Sequence, residues 1–255
     1  MKKLTISLIA TLILIMSSCS SSDNGAVGNQ AFLLGFRSQL CTNVSGATAA
    51  YWDLSHSLPV PLPEVPLVQN PGQQFIHSQL PYIGFVMPQG FTGFEITDPA
   101  TATLGVNVFR NDNNVLWRYV PTSQTPGVVD VNNVIANEIN ALFNFYGFNG
   151  TPNVMCSTPP TDASFGGIQR VFTARLLQFG NMTAQIYVIT TYAAGSTFAS
   201  ISVSAAPTAE FDAQIVNTFL PISWQLLVGP ERIQDSDGDG NPDVTDPDPT
   251  NPNVR

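Results

Sequence analysis

The residues best equipped for chemistry are crowded into one stretch near the C-terminal end, DSDGDGNPDVTD, residues 235–246. With Asp235 as position 1, carboxylates fall at positions 1, 3, 5, 9 and 12: Asp235, Asp237, Asp239, Asp243 and Asp246. Gly240 stands at position 6 and Asn241 at position 7. A hard cation such as Ca²⁺ takes roughly six to eight oxygens at short range from one tightly wound loop. Alternating side chains then turn inward, glycine permits the sharp bend, and the seventh residue offers its backbone carbonyl. Asp235, Asp237, Asp239, Asn241, Asp243 and Asp246 are therefore the expected metal ligands, and Ca²⁺ the expected cofactor. A disordered acidic tail is the plainer alternative, but solubility alone would not require glycine at position 6 with acids so placed.

The positions are those of an EF-hand-type loop, with instructive departures. Pro242 at position 8 has no N–H for pairing with a second loop, and Asp246 reaches less far than a glutamate for bidentate ligation. Pro247, Pro249 and Pro252 forbid an exiting helix, so the loop should be structural and not a sensor that moves helices. The run DSDGDGNPDVTDPDPTNP resembles the thrombospondin type 3 repeat, D-x-D-x-D-G-x-x-D-x-x-D. That resemblance implies calcium binding, in repeats that occur in arrays and share ions. Here one unit is complete, and Asp246 and Asp248 begin a truncated second. Water must finish the coordination shell, and the expected affinity is on the order of 10⁻⁴–10⁻³ M.

The opposite end reads as an address. Lys2 and Lys3 precede a run of thirteen residues, 4–16, that is apolar apart from a few hydroxyls, and Ser17 and Ser18 lead to Cys19. This is the plan of a secretory signal, too short for a membrane span of ~20 residues. Met16-Ser17-Ser18-Cys19 resembles the lipobox of bacterial lipoproteins, with Met16 in place of the usual Leu. The resemblance implies removal of residues 1–18, a diacylglyceryl group on the Cys19 thiol, and acyl chains such as palmitate in the membrane. Two or three chains anchor far more firmly than one, at about 0.8 kcal/mol per buried methylene. Residues 19–30 then form a polar tether, and Ser20 in place of Asp favours the outer membrane. Of three cysteines in an exported chain, acylation of Cys19 leaves Cys41 and Cys156 for a disulfide or as two separate thiols.

Between the ends no catalytic set stands out. The two histidines, His56 and His77, lie in YWDLSHSLP and QFIHSQLPY and read as polar surface or turn residues. Asp53 and Ser55 flank His56, but a triad needs convergence in space, not adjacency. Glu95 with Asp98 or Asp112 offers no more than ordinary loop carboxylates for a glycosidase pair. Tyr51, Trp52, Trp117 and Trp224 suit a core better than a sugar platform. Outside Lys2 and Lys3, seven arginines face eighteen acids, a net of −11. With no basic patch to neutralise phosphates, nucleic acid is not an expected partner.

The elements that must position these residues are read from periodicity. Five prolines at 59, 61, 63, 66 and 71 dictate an extended arm over 58–71. Residues 104–110 and 116–120 flank NDNN and predict a hairpin. Asp130 caps a helix to Tyr146, with Gly147 as its stop. Strands over 169–179, 184–192 and 198–204, joined by Gly180-Asn181 and Ala194-Gly195-Ser196, predict a meander whose last strand alternates Ala199, Ile201 and Val203 with serines. A second helix runs from Thr208 to Pro221, and a final strand over 222–228 returns to the sheet.

The expected fold class is therefore α+β: one antiparallel sheet covered by two helices, with a proline-rich arm and a calcium-loop tail. Segments 1–18, 19–30, 31–80, 81–230 and 231–255 form leader, tether, N-terminal segment, α+β domain and tail. The order of elements over 85–228, ending at Trp224, is loosely similar to the Mog1/PsbP-like fold. That family is mostly non-enzymatic and binds protein partners. The expectation is an envelope lipoprotein with a binding or structural role, held to the membrane by its anchor and meeting an envelope protein or glycan. A small-molecule or glycan-binding module is the alternative, and a secreted hydrolase a third reading.

Overall fold

The computed structural model describes residues 25–228, together with Asp237, Pro247, Asp248 and residues 250–254. The body is mostly β. A seven-stranded sheet, antiparallel throughout, has the order β3-β4-β5-β9-β8-β7-β6, and a separate pair, β1-β2, lies beside it. The strands are β1 (Pro71–Ile76), β2 (Gly84–Pro88), β3 (Phe91–Asp98), β4 (Thr103–Arg110), β5 (Leu116–Pro126), β6 (Asn153–Asp162), β7 (Gln169–Phe179), β8 (Met182–Ala193) and β9 (Ser196–Pro207). Helices are few and short: α1 (Gly25–Leu34), α2 (Ala47–Ser55), α3 (Val131–Phe145), α4 (Phe211–Gln214) and α5 (Leu220–Val228), with a π-turn over Ile215–Phe219. No helix among the described residues is long and apolar enough to cross a membrane.

This overturns the expected α+β plan of one sheet under two helices. One face is indeed packed by a single helix: α3 sends Val131, Ile135 and Leu142 onto Leu177, Ile186, Val188, Ile201 and Val203. The Asp130 side chain accepts from the Asn132 N–H at 2.9 Å and caps this helix. The other, N-terminal face has a composite cover of α1, α2, the β1-β2 pair and the C-terminal helix. The serines of β9 therefore do not simply meet water. Ser204 is buried and shares a hydrogen bond with Tyr51 Oη at 2.9 Å.

The expected final strand is also corrected. Residues 222–228 are helical, and Pro221 lies inside the last helix instead of ending it. The π-turn just before it explains how. Widening the ladder by one residue relieves the clash of a proline ring with the carbonyl of the preceding turn. The helix is then pinned by Gln225, whose Oε1 accepts from Val86 N–H at 2.8 Å while Nε2 donates to Val86 O at 3.0 Å. The side-chain amide pairs with β2 as another strand would.

Residues 58–70 form neither helix nor strand, bend at 63–64 and 69–70, and bury Val60 and Val68. Helix α1 begins at Gly25, within the stretch read as tether. Cys41 and Cys156 are joined by a disulfide, Cα to Cα 6.1 Å, fastening the N-terminal segment to strand β6.

Candidate functional site

Of the six expected metal ligands, only Asp237 is among the described residues, where it is half-buried in a bend. Asp235, Asp239, Asn241, Asp243 and Asp246 lie outside them, as does Cys19. Asp248, further along the tail, accepts from Thr250 Oγ1 at 3.1 Å and, through its carbonyl, from Asn251 N–H at 3.0 Å. Among the described residues no three His, Cys, Asp or Glu side chains gather for a metal. The expected ligands are by residue type all oxygen donors, carboxylates plus one carbonyl, a set suited to a hard ion and not a soft one.

Within the folded body, polar and aromatic groups converge at the C-terminal end of α2. This helix starts without a side-chain cap of its own, because Gly46 holds its N-cap position at φ +80°. A carboxylate from α4 supplies the cap instead: Asp212 Oδ1 accepts from Thr48 N–H at 2.8 Å and from Thr48 Oγ1 at 2.6 Å. A Cβ on Gly46 would stand 2.6 Å from Asp212 Oδ2, so only glycine admits that carboxylate. At the other end His56 Nδ1 donates to Trp52 O at 2.7 Å, and Nε2 accepts from Thr158 Oγ1 on β6 at 2.7 Å. The ring lies 4.5 Å from that of Trp52, 5.6 Å from Tyr187 and 6.1 Å from Phe172. Loss of water around the half-buried imidazole pushes its pKa below the ordinary value, against a raising effect of the Trp52 carbonyl and Asp53.

Beneath His56 the strand registers set a floor. Phe172 pairs with Ile189, which pairs with Ser200; Ala174 pairs with Tyr187, then Ser202, then Tyr119. Partners across a ladder share a face, and all of these except Ala174 are half-buried. Phe172 and Tyr187 stack at 5.7 Å. Such a floor can stack on a planar or ring-shaped ligand, with the hydroxyls of Ser200, Ser202 and the tyrosines for hydrogen bonds.

The sequence-level candidates are dispersed and mostly engaged. Asp53 is fully buried and engaged elsewhere, accepting from Ser38 Oγ at 2.5 Å and Gln39 N–H at 2.8 Å. No triad forms with Ser55. His77 is fully buried rather than a surface residue: Nδ1 accepts from Gln79 N–H at 3.1 Å and organises the turn before β2. Glu95 accepts from Ser78, Asp98 from Ala100 and Thr101, and Asp112 from Arg110. Trp52 and Trp117 are 1 % and 2 % exposed, so neither is a ligand platform. Asp212, Thr158, Phe172 and Tyr187, which build the site, were not singled out by sequence. Three of them lie in strands, where only register brings them together.

Neither the models of known protein families nor the curated proteins give a match to this chain.

Proposed function

We propose that this chain is an envelope lipoprotein of the outer membrane, acylated at Cys19, that displays a β-rich body and carries a structural Ca²⁺ loop at 235–246. Its role is binding or structural. The observation that carries the reading is the spacing of the tail: five carboxylates at positions 1, 3, 5, 9 and 12 around glycine at 6. The lipobox-like Met16-Ser17-Ser18-Cys19 supports the anchor, and the pairing of Cys41 with Cys156 supports an oxidising compartment. The engagement of His56, Asp53, Glu95 and Asp112 in the fold's own bonds supports a non-catalytic role.

Limited proteolysis of the membrane-purified chain tests the calcium loop. With ~2 mM Ca²⁺, above the affinity expected of such loops, the tail should be protected, and chelator should remove the protection. Asp239→Ala and Asp246→Ala should each abolish it. Identical digestion with and without the ion sinks the calcium reading, and an intact mass lacking acyl chains on Cys19 sinks the anchor.

A second reading rests on the half-buried Phe172-Tyr187 stack beneath His56. There the body binds a glycan or another ring-shaped small molecule. Quenching of tyrosine emission by soluble glycan fragments, lost in Tyr187→Ala, would favour it.

A further inference from the structure

The two edges of the seven-stranded sheet are treated differently. An exposed edge presents unpaired N–H and C=O groups, and folded proteins blunt such edges with prolines, bulges or covalent cover. Strand β6 has all three. Pro159 and Pro160 lie within it, its ladder with β7 shifts register twice, and Cys156 bonds it to Cys41. His56 occupies Thr158 as well.

Strand β3 has none of these. FTGFEITD contains no proline and no lysine, and its eight residues pair with β4 without a bulge. Among the described residues no strand lies beyond it. The β1-β2 pair forms no ladder with β3: Phe75 stands over Gly93, on the N-terminal face of β3, where a Cβ would meet its ring at 2.6 Å, and Ser78 binds the Glu95 side chain. On the opposite face Phe94 is 53 % exposed.

The direction of each backbone group follows from the ladder. Asn111 N–H donates to Gly90 O at 2.8 Å, continuing the register that pairs Phe91 with Arg110. Gly90 and Asn111 are thus a hydrogen-bonded pair. Residues alternate along an antiparallel ladder, so Thr92, Phe94, Ile96 and Asp98 turn their backbone groups to β4. Phe91, Gly93, Glu95 and Thr97 turn theirs outward.

We propose that β3 is a homodimer interface, joining two copies of this chain about a two-fold axis at Phe94 into one continuous antiparallel sheet. In that register Gly93 faces Glu95 of the second copy, and Phe91 faces Thr97. Each outward-facing residue then gains a partner for both its N–H and its C=O. Phe94 meets its own copy in a non-hydrogen-bonded pair, where opposing side chains approach most closely. Glu95 lies opposite glycine and Asp98 opposite Gly90, so no like charges oppose one another. Such self-complementarity is what an isologous contact requires. This dimer is independent of the calcium loop and of the His56 site.

Cysteine crosslinking in the full chain tests it. Phe94→Cys should give, under oxidation, a band of doubled mass well above the parent's background. Thr92→Cys, set away from the two-fold axis by two residues, should not. Adding Thr97→Pro to Phe94→Cys removes only an outward N–H, a change that edge strands tolerate, and should abolish the band. Phe94→Arg, which leaves the backbone intact, should convert a dimer to a monomer in light scattering after gel filtration. The proposal fails if the parent is monomeric, if both cysteine variants crosslink alike, or if the dimer survives both Thr97→Pro and Phe94→Arg.

Discussion

Burial of the His56 ring between Trp52 and Tyr187 withdraws water from an imidazole that donates through Nδ1 and accepts through Nε2. Desolvation disfavours its cationic form, so the folded pKa lies below the value of about 6.5 in the unfolded chain. The unfolded state then binds the proton more readily. His56 contributes stability that is whole above about pH 6.5 and is lost as pH falls through the folded pKa. Glu95, Asp112 and Asp162 have their carboxyl pKa values lowered by Ser78, Arg110 and Ser164, and so titrate below that window. Urea unfolding midpoints should therefore fall between pH 7 and pH 5 in the parent and fall less in His56→Gln. Equal slopes in the two proteins would place the titration elsewhere.

At the scale of elements, the hairpin loops show how closely local sequence governs the sheet. Gly180 and Asn181 join β7 to β8 with Gly180 at φ +56°, the pattern of a two-residue loop with glycine first. Ala194 and Gly195 join β8 to β9 with φ +49° and +79°, a geometry that asks for Asn-Gly. A Cβ in the left-handed region costs on the order of 1 kcal/mol. Ala194→Asn should thus stabilise the protein by roughly 0.5–1 kcal/mol, raising Tm by a few degrees in calorimetry; an unchanged or lower Tm would count against this account.

The meander and α3 were legible for the same reason, since turn residues and caps punctuate a clear period. Strand β7 was expected over the residues it occupies, and α3 within a residue of its ends. Other elements were hidden by physics that acts at a distance. Pro159 and Pro160 disguise β6, which tolerates them only as an edge. ATAAYWDLS has no polar face because α2 is buried along most of its length. Pro221 is a stop signal until a π-turn accommodates it. The His56 corner was illegible because Thr158 lies 102 residues away.

For the whole molecule, the Cys41–Cys156 bridge closes a loop of 115 residues around the β1-β2 pair, β3, β4, β5 and α3. Constraining so long a segment in the unfolded chain stabilises the fold by up to roughly 4–5 kcal/mol in the chain-entropy view. Replacing both cysteines with serine should cost roughly 2–5 kcal/mol, read as a lower urea midpoint. Reductant should destabilise the parent similarly and leave the double variant untouched. A parent indifferent to reductant would show that the bridge adds nothing to stability.

The same bridge has a mechanical meaning. A chain held at one end and pulled at the other transmits tension from Cys41 directly to Cys156, so everything between them is bypassed. Oxidised, the stretched molecule is shorter by about 400 Å than the reduced one, at ~3.5 Å per residue. Residues 42–155, which carry the β1-β2 pair and three of the large sheet's seven strands, stay slack under any pull short of breaking a covalent bond.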